Sequence, residues 1–241
     1  MNQNNAYERT VRQEILAWRQ KILRKPNSLS QSMAHMQARV YSHIPKNVQD
    51  FMTKSIKTMT QTILAASGMI QKTDNYSKLS LSERDYLLEK KYQTYNKVAI
   101  AQGVSFGLGG MLMGLGDFPA LLSIKVKFLF DCASIYGFDI NDPKERRFML
   151  YVFQLAFCSD TRRPEVFSII KNWDFDSIPE IDWEKFQVEY RDTIDIAKML
   201  QLLPVVGSVF GGTANHRLLK HLKITAMNSY RLRIIRRDNL K

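Results

Sequence analysis

Apolar residues recur at three- and four-residue intervals along most of the chain, which is the period of an amphipathic α-helix. The first such segment contains Val11, Ile15, Trp18 and Ile22, and Pro26 lies just after it. A second segment runs from about residue 48 to residue 63. No run of alternating β-branched residues ends in an Asn-Gly or Asp-Gly turn. The pattern therefore predicts an all-α fold.

Local signals mark the ends of several predicted helices. Ser80 and Glu83 have the spacing of a capping box, in which each side chain accepts a hydrogen bond from the other residue's backbone amide. Gly137 is placed to end an apolar helix in a left-handed conformation. Asp142 and Pro143 begin the next helix, with proline at its first position. The remaining predicted segments are a linker over residues 173–179 and helices over residues 183–203 and 209–233.

An uncharged run of nineteen residues, 98–116, contains a regular series of glycines. Gly103, Gly107, Gly110 and Gly114 are spaced by four, three and four, which aligns them in one stripe along a helix. A glycine inside a helix costs roughly 0.8–1 kcal/mol relative to alanine. We therefore expect another helix to pack closely against this stripe.

A second apolar segment, residues 202–215, is the expected partner because Gly207 and Gly211 repeat the four-residue spacing after Pro204. Together the two segments predict a glycine-rich central helix hairpin, with a break at Asp117 and Pro119. Two interpretations remain open: a buried helix pair in the core, or a hairpin that dips into a membrane. Three charges in the apolar run after the break disfavour a full span, whereas interfacial association stays open. These charges are Lys125, Lys127 and Asp131.

Charge is distributed unevenly along the chain. The formal net charge is +12, with +8 over residues 1–72, −3 over residues 73–215 and +7 over residues 216–241. Basic ends around a mildly acidic middle favour an anionic partner such as a lipid surface, a nucleic acid or an acidic protein. The same charge could equally form an ordinary solvated surface.

The C-terminal segment predicts a basic amphipathic helix. Its apolar face contains Leu218, Leu219, Leu222, Ala226 and Tyr230. The pattern degrades after residue 231, which we interpret as a frayed or extended basic tail. The residues predicted to bind an anionic surface are Arg217, Lys220, Lys223, Arg231, Arg233, Arg236 and Arg237.

Chemical motifs do not point to an enzyme. The chain has four histidines without metal-ligand spacing, and no P-loop, nucleophile elbow or zinc-protease motif. We therefore expect no catalytic residues, metal or cofactor, and the sequence says nothing about a small-molecule ligand. Nucleic acid is disfavoured as a partner because no recognition motif accompanies the charge. Cys132 and Cys158 lie in apolar segments, which predicts buried thiols in a reducing compartment.

Residues 103–150, GVSFGLGGMLMGLGDFPALLSIKVKFLFDCASIYGFDINDPKERRFML, resemble the signature region of the EcsC family. The residues that carry this resemblance are Asp117, Pro119, Tyr136, Gly137, Asp139 and Glu145. Residues 202–233 resemble the family's second block through Pro204, Gly207, Asn215, Ala226 and Tyr230. The family takes its name from a protein encoded beside a bacterial ABC transporter involved in secretion. The resemblance implies a helical, membrane-associated bacterial accessory protein and no catalytic residues.

These observations combine into one prediction. Residues 1–79 form basic helices that pack on an EcsC-like core of residues 80–241, with one domain overall. The protein is expected to be a non-enzymatic accessory to an ABC transporter or secretion, in the cytoplasm and peripheral at the inner face of the cell membrane. The N-terminus has no basic region followed by an apolar run, so we expect no cleaved signal peptide. The alternative is a soluble adaptor that docks on a transporter subunit.

Overall fold

The computed structural model describes residues 3–24, 46–65, 76–107, 118–174 and 208–238. Within these ranges the chain forms seven α-helices and one short 3-10 helix, Tyr76–Lys78. The helices are α1 (Gln3–Ile22), α2 (Lys46–Ala65), α3 (Leu81–Gly107), α4 (Phe118–Ile135), α5 (Pro143–Phe157), α6 (Arg163–Asn172) and α7 (Ser208–Asp238). The predicted helix over residues 183–203 lies outside the described ranges.

The two longest helices, α3 and α7, pack against each other in antiparallel orientation. The Arg231 guanidinium binds the Asp85 carboxylate near the start of α3, and the Asn215 amide donates to the Ala99 carbonyl near its end. Helices α4 and α5 pack against this pair, and their apolar side chains fill the core. Phe128, for example, is completely buried. The fold is all-α and forms a single domain, as predicted.

Both N-terminal helices contact the rest of the molecule. Helix α1 packs across α3 and α7, while α2 packs against α4 and α5. The periodicity of the first segment is confirmed, because Val11, Ile15 and Trp18 are all buried. The Trp18 ring meets the Phe167 ring of α6 edge to face, with ring centroids 5.8 Å apart. In the second segment, Phe51 is 37% exposed and does not belong to the core.

The predicted helix ends are confirmed by their hydrogen bonds. The Ser80 amide donates to Glu83 Oε2 at 2.8 Å, and the Glu83 amide donates to Ser80 Oγ at 3.4 Å. Gly137 has φ +83°, which the left-handed turn after α4 requires. The Asp142 carboxylate caps α5 by accepting from the Lys144 amide at 2.7 Å.

Two predictions about the C-terminal third of the chain are wrong. The predicted linker does not begin at Trp173, because this side chain is completely buried against Phe148 and Tyr151. A frayed tail after residue 231 is also wrong, because α7 continues as a regular helix to Asp238. In both places, residues flanked by charged or polar positions in the sequence are buried in the structure, as Trp173 and Ile235 show.

Candidate functional site

The first of two internal charge networks surrounds Arg231 of α7. Arg231 binds both oxygens of Asp85, with Nη2 2.7 Å from Oδ2, and both side chains are at least nine-tenths buried. Its Nη1 also lies 2.7 Å from Glu14 Oε2 of α1. The Tyr7 hydroxyl donates to Asp85 Oδ2 at 2.6 Å, and the Tyr136 hydroxyl donates to Oδ1. The pair of Arg231 and Asp85 therefore joins α1, α3, α7 and the turn that follows α4 at one point.

Ionisation of the two tyrosines in this network is suppressed. Burial, together with the neighbouring Asp85 carboxylate, raises the pKa of Tyr7 to about 12. The same two causes raise the pKa of Tyr136 well above its usual value. Both hydroxyls therefore stay protonated at neutral pH and act as hydrogen-bond donors to Asp85.

The second internal network surrounds Arg233. Its Nη1 and Nη2 bind the two oxygens of Glu145 at 2.6 and 2.7 Å, and its Nε and Nη2 bind Asp174 at 2.8 and 2.7 Å. The guanidinium also lies between the rings of Phe138 and Phe148, 4.1 and 4.2 Å from their centroids. Such stacking suits the planar, weakly hydrated guanidinium group. Glu145, in the first turn of α5, thus binds Arg233 of α7.

Asp174 binds a second arginine at the edge of this network. Arg237 Nη2 lies 2.5 Å from Asp174 Oδ1, and the Arg237 side chain is 46% exposed. Burial raises the pKa of Asp174, but Arg233 and Arg237 more than offset this effect, so its pKa lies below the usual value. Arg236 donates to the Lys171 carbonyl at the end of α6.

These networks correct the predicted role of the C-terminal arginines. Arg231 and Arg233 are 5% and 2% exposed, so neither offers its guanidinium to an external surface. Arg236 is half-buried, and Arg237 forms an ion pair with Asp174. The carboxylates in these networks are bound to arginines and are not poised for acid–base chemistry. A clue was present in the sequence, since Arg233 falls on the apolar side of its helix.

The other cations predicted on α7 fall into two groups. Arg217 and Lys220 are exposed. Lys223 is half-buried, with its amine 2.7 Å from Glu89 of α3 and 4.6 Å from the centre of the Tyr92 ring. Lys223 therefore ties α7 to α3, whereas Arg217 and Lys220 remain available to a partner.

Two exposed lysines of α3 extend the same surface. Lys97 and Lys90 lie seven residues apart, on one face of the helix, and the Lys90 amine lies 4.7 Å from the centre of the Tyr86 ring. Helices α3 and α7 lie side by side with α4 packed against both, so their exposed faces point to the same side. We call the set Lys90, Lys97, Arg217 and Lys220 the basic face.

The glycine-rich segments are only partly described. Gly103 and Gly107 lie in the last turns of α3, and Gly211 lies in the first turn of α7. Pro119 is exposed in the first turn of α4. No helix in the described ranges combines the length and the apolar character that crossing a bilayer requires. The other predicted hairpin residues lie outside the described ranges: Gly110, Gly114, Asp117, Pro204 and Gly207.

Several of the described residues that carry the family resemblance lie at helix contacts. The rings of Tyr136 and Tyr230 stack with centroids 5.6 Å apart, and Tyr230 is completely buried. The Asn215 amide donates to the Ala99 carbonyl at 3.2 Å. At Gly137, a Cβ would meet Arg84 Nη1 at 3.1 Å, and this guanidinium binds the Tyr136 carbonyl. These residues fix the contacts between α3, α4 and α7.

Sequence reasoning also missed the burial of Lys125. It is 4% exposed and lies on the same face of α4 as Phe128 and Cys132, which are completely buried. Its amine donates to the Leu121 carbonyl of its own helix at 3.4 Å. Burial lowers its pKa from 10.5 to about 8. Its only sequence signal is a lysine placed on the apolar face of a helix.

Both cysteines and two of the four histidines lie in the described ranges. Cys132 and Cys158 are buried free thiols, as predicted. Burial raises the pKa of the Cys132 thiol well above its usual value, which makes it a poor nucleophile. His216 Nδ1 lies 2.9 Å from the Asn96 side-chain oxygen. Among the residues that the structure describes, no group of three potential ligands could hold a metal ion.

Comparison with known proteins identifies the family. Residues 9–235 match the EcsC protein family. The chain is 46% identical over 224 residues to Protein EcsC of Bacillus subtilis (strain 168), covering 93% of this chain and 94% of that protein. It is 30% identical over 173 residues to Uncharacterized protein YdbA of the same organism, covering 69% of this chain and 64% of that protein. No solved structure matches the chain. The chain therefore belongs to the EcsC protein family.

Proposed function

We propose that this protein is a non-enzymatic accessory protein that binds an anionic membrane surface through its basic face. The observation that carries the proposal is the position of Lys97 and Arg217. Lys97 immediately precedes the uncharged run 98–116, and Arg217 immediately follows a second run, 199–216, that lacks acidic and basic residues apart from one histidine. The two cations therefore mark the same chemical boundary on two helices.

The register of the helix pair brings these two boundaries together. Glu89 meets Lys223, Asn96 meets His216, and Ala99 meets Asn215. In this antiparallel register, Lys97 lies at the level of Arg217. Cations at the base of an uncharged segment are the arrangement expected of a protein whose apolar end enters the interfacial region while its charges meet lipid headgroups.

Electrostatics supports an anionic surface over a zwitterionic one. Glu89 is the acid on α3 nearest these cations, and Lys223 neutralises it. Each Lys or Arg near an anionic leaflet contributes about 1 kcal/mol, so the four residues of the basic face supply roughly 4 kcal/mol at low salt. This attraction falls off within a Debye length of about 8 Å at physiological ionic strength.

Flotation of the purified protein with vesicles tests this proposal. We expect flotation with anionic vesicles at low salt and little with neutral ones. The double change Lys97→Glu and Arg217→Glu should weaken anionic binding at least about thirtyfold, since two attractive charges become repulsive. The matched control is Lys54→Glu with Lys57→Glu, which reverses two exposed charges on α2, a helix that packs against α4 and α5.

The salt dependence separates the two parts of the proposed surface. Flotation that is lost at high salt assigns binding to the basic face, whereas flotation that survives high salt assigns it to the uncharged segments. Equal losses in both double variants, or no flotation under any condition, would contradict the proposal. In the last case the protein-binding adaptor becomes the better explanation.

The physiological setting is the wider part of the proposal. The EcsC family resemblance supports a role beside an ABC transporter or in secretion, at the inner face of the cell membrane. Crosslinking in isolated membranes tests this role: an exposed cysteine introduced at Lys220 should crosslink a transporter subunit, and one at Lys57 should not. Crosslinking to lipid alone would leave the membrane proposal standing without the transporter.

A further inference from the structure

His216 is the one ionisable residue within the second uncharged run, residues 199–216. It directly precedes Arg217 of the basic face, and its side chain is half-buried where α7 packs against α3. Its Nδ1 lies 2.9 Å from the side-chain oxygen of Asn96, the residue that directly precedes Lys97. The imidazole therefore lies at the level of the two cations that mark the boundary of the uncharged runs.

The hydrogen bonds of His216 leave one ring nitrogen for a second proton. Both described bonds, to Asn96 and to the Tyr92 hydroxyl at 3.5 Å, are made by Nδ1. The side-chain oxygen of Asn96 is an acceptor, so Nδ1 carries the proton of the neutral ring. A second proton would bind Nε2 and leave the bond to Asn96 intact. Protonation thus adds a charge without breaking the contact between the two helices.

Acids on the helices packed against α7, and in the turns that join them, already have cationic partners in the described structure. These ion pairs are Glu89 with Lys223, Asp131 with Lys91, Asp160 with Arg163 and Glu165 with Arg162. The other charged groups near this level are the cations Lys90, Lys97, Lys125, Lys127, Arg217 and Lys220. Tyr92 and Tyr95 of α3 stay neutral, because burial raises the pKa of each. No described residue near His216 therefore offers it an unpaired carboxylate.

We propose that His216 makes membrane attachment depend on pH: in mildly acidic solution it gains a positive charge beside Lys97 and Arg217 and strengthens binding to anionic lipid headgroups. Histidine is the side chain whose ordinary change of charge falls between pH 5 and pH 8. An anionic surface favours the charged form of a nearby imidazole. Binding and protonation therefore strengthen each other, because linkage between two equilibria is reciprocal. This inference rests on the proposed function and adds its regulation by protons.

Binding to mixed vesicles of phosphatidylglycerol and phosphatidylcholine at pH 5.5 and at pH 7.5 tests the inference. Phosphatidylglycerol stays anionic across this range, so a change in affinity reports on the protein. One added cation beside an anionic leaflet should strengthen binding by about three- to fivefold at low salt. We expect the wild type to show this gain at pH 5.5 and to lose most of it at high salt.

Two substitutions make the test specific to His216. His216→Asn keeps an amide donor in the place of Nδ1 but cannot take up a proton, so its affinity should lose most of the pH dependence. His216→Lys carries the charge permanently and should bind at pH 7.5 as tightly as the wild type binds at pH 5.5. The charge of Lys125, whose pKa burial lowers to about 8, is common to all three proteins.

The matched control is His221→Asn. His221 is an exposed histidine of the same helix, and its ring centroid lies 6.3 Å from that of Phe157 of α5, away from the contact with α3. This variant should keep the pH dependence of the wild type. Undiminished pH dependence in His216→Asn would overturn the inference.

Proton uptake by the wild type covers the case in which the variants of His216 do not fold. Anionic vesicles added to the protein in weakly buffered solution at pH 6.5 should cause uptake of roughly a few tenths of a proton per bound molecule. The control His221→Asn should take up the same amount. Binding without proton uptake would refute the inference.

The outcomes also separate this inference from the proposed function. Equal binding at pH 5.5 and pH 7.5 would support the membrane surface and refute the role of His216. Absence of binding at both pH values would contradict the membrane surface and this inference with it. Binding at pH 5.5 alone, lost in His216→Asn, would support both and make the protonated histidine a requirement for attachment.

Discussion

At the residue scale, this protein is defined by charges that lie inside it. Arg231, Arg233 and Lys125 are all buried, but the first two are paired with carboxylates and the third is not. Removing one partner of a buried pair leaves the other uncompensated, whereas removing an unpaired charge relieves a cost. Substitutions at these positions should therefore change stability in opposite directions.

We predict that Arg233→Met lowers the free energy of unfolding by about 3–5 kcal/mol, because Glu145 and Asp174 lose their buried partner. Urea denaturation measures this change. The control Arg217→Met alters an exposed residue of the same helix and should shift stability by no more than about 0.5 kcal/mol. Equal effects of the two substitutions would mean that the network contributes nothing to the fold.

Lys125 should make stability increase with pH. Because burial lowers its pKa to about 8, the unfolded chain holds this proton more tightly than the folded chain between pH 8 and pH 10.5. The penalty is complete below pH 8 and disappears as pH rises through this window. Between pH 7.5 and 9.5 the stability of the wild type relative to Lys125→Met should rise by about 2 kcal/mol.

Urea denaturation of both proteins across this pH range measures the effect. The comparison stays below pH 10 because Tyr7, with its pKa raised to about 12, acts in the opposite direction above that point. The tyrosine effect is common to both proteins and cancels in the difference. A constant difference between them would show that Lys125 does not titrate in this window.

At the element scale, the ends of the helices are set by local signals, and their contacts are set by close approach. Gly137 illustrates both, because its positive φ ends α4 and its missing Cβ leaves room for Arg84. Close approach at glycine is also expected between α3 and α7. Its register, continued one turn beyond the bond between Asn215 and Ala99, predicts that Gly103 faces Gly211.

Gly137→Ala should destabilise the protein by roughly 1–2 kcal/mol through the left-handed backbone alone. The crowding of Arg84 adds to this value. Thermal unfolding at fixed pH and salt measures it. Ser134→Ala, which removes a partly exposed hydroxyl from the last turn of the same helix, is the control and should have a much smaller effect. An unchanged melting temperature for Gly137→Ala would contradict the backbone argument.

The predicted glycine stripe is tested by Gly107→Leu. A leucine in a closely packed helix contact should cost roughly 1–3 kcal/mol or disrupt membrane binding. Ala101→Leu places the same side chain at an exposed position of α3 and should be tolerated. Unchanged thermal stability together with unchanged flotation of Gly107→Leu would rule out the stripe as a packing surface.

At the scale of the whole molecule, side chains from distant parts of the sequence join the helices into one unit. The network of Arg231 ties α1 to the core through Glu14 and Tyr7, and Trp18 packs on Phe167. We therefore predict that α1 and α3 unfold together. Hydrogen exchange, followed in peptides from each helix at increasing urea, should give converging opening free energies. If α1 opens at lower urea than α3, the chain has two parts that unfold separately, with a boundary near residue 79.

The amino-acid sequence by itself determined the helical fold, several helix ends and the family. Helical periodicity and caps depend on residues within a few positions of one another, so Ser80, Gly137 and Asp142 could be interpreted without a structure. The buried positions of Leu222 and Tyr230 followed from the same periodicity. The blocks that resemble the family are contiguous in sequence, and the family match confirms them.

Only the tertiary structure decided which charges are internal. Asp85 and Arg231 are 146 residues apart, and Glu145 and Arg233 are 88 residues apart. A pattern within a few neighbouring residues therefore cannot predict that either pair forms. The sequence places Arg233 on the apolar side of its helix, but it does not identify the carboxylates that bind this arginine. Net charge therefore suggested a basic C-terminal tail where the fold places ion pairs. The physical reason is that solvation and pairing depend on neighbours that meet only when the helices pack.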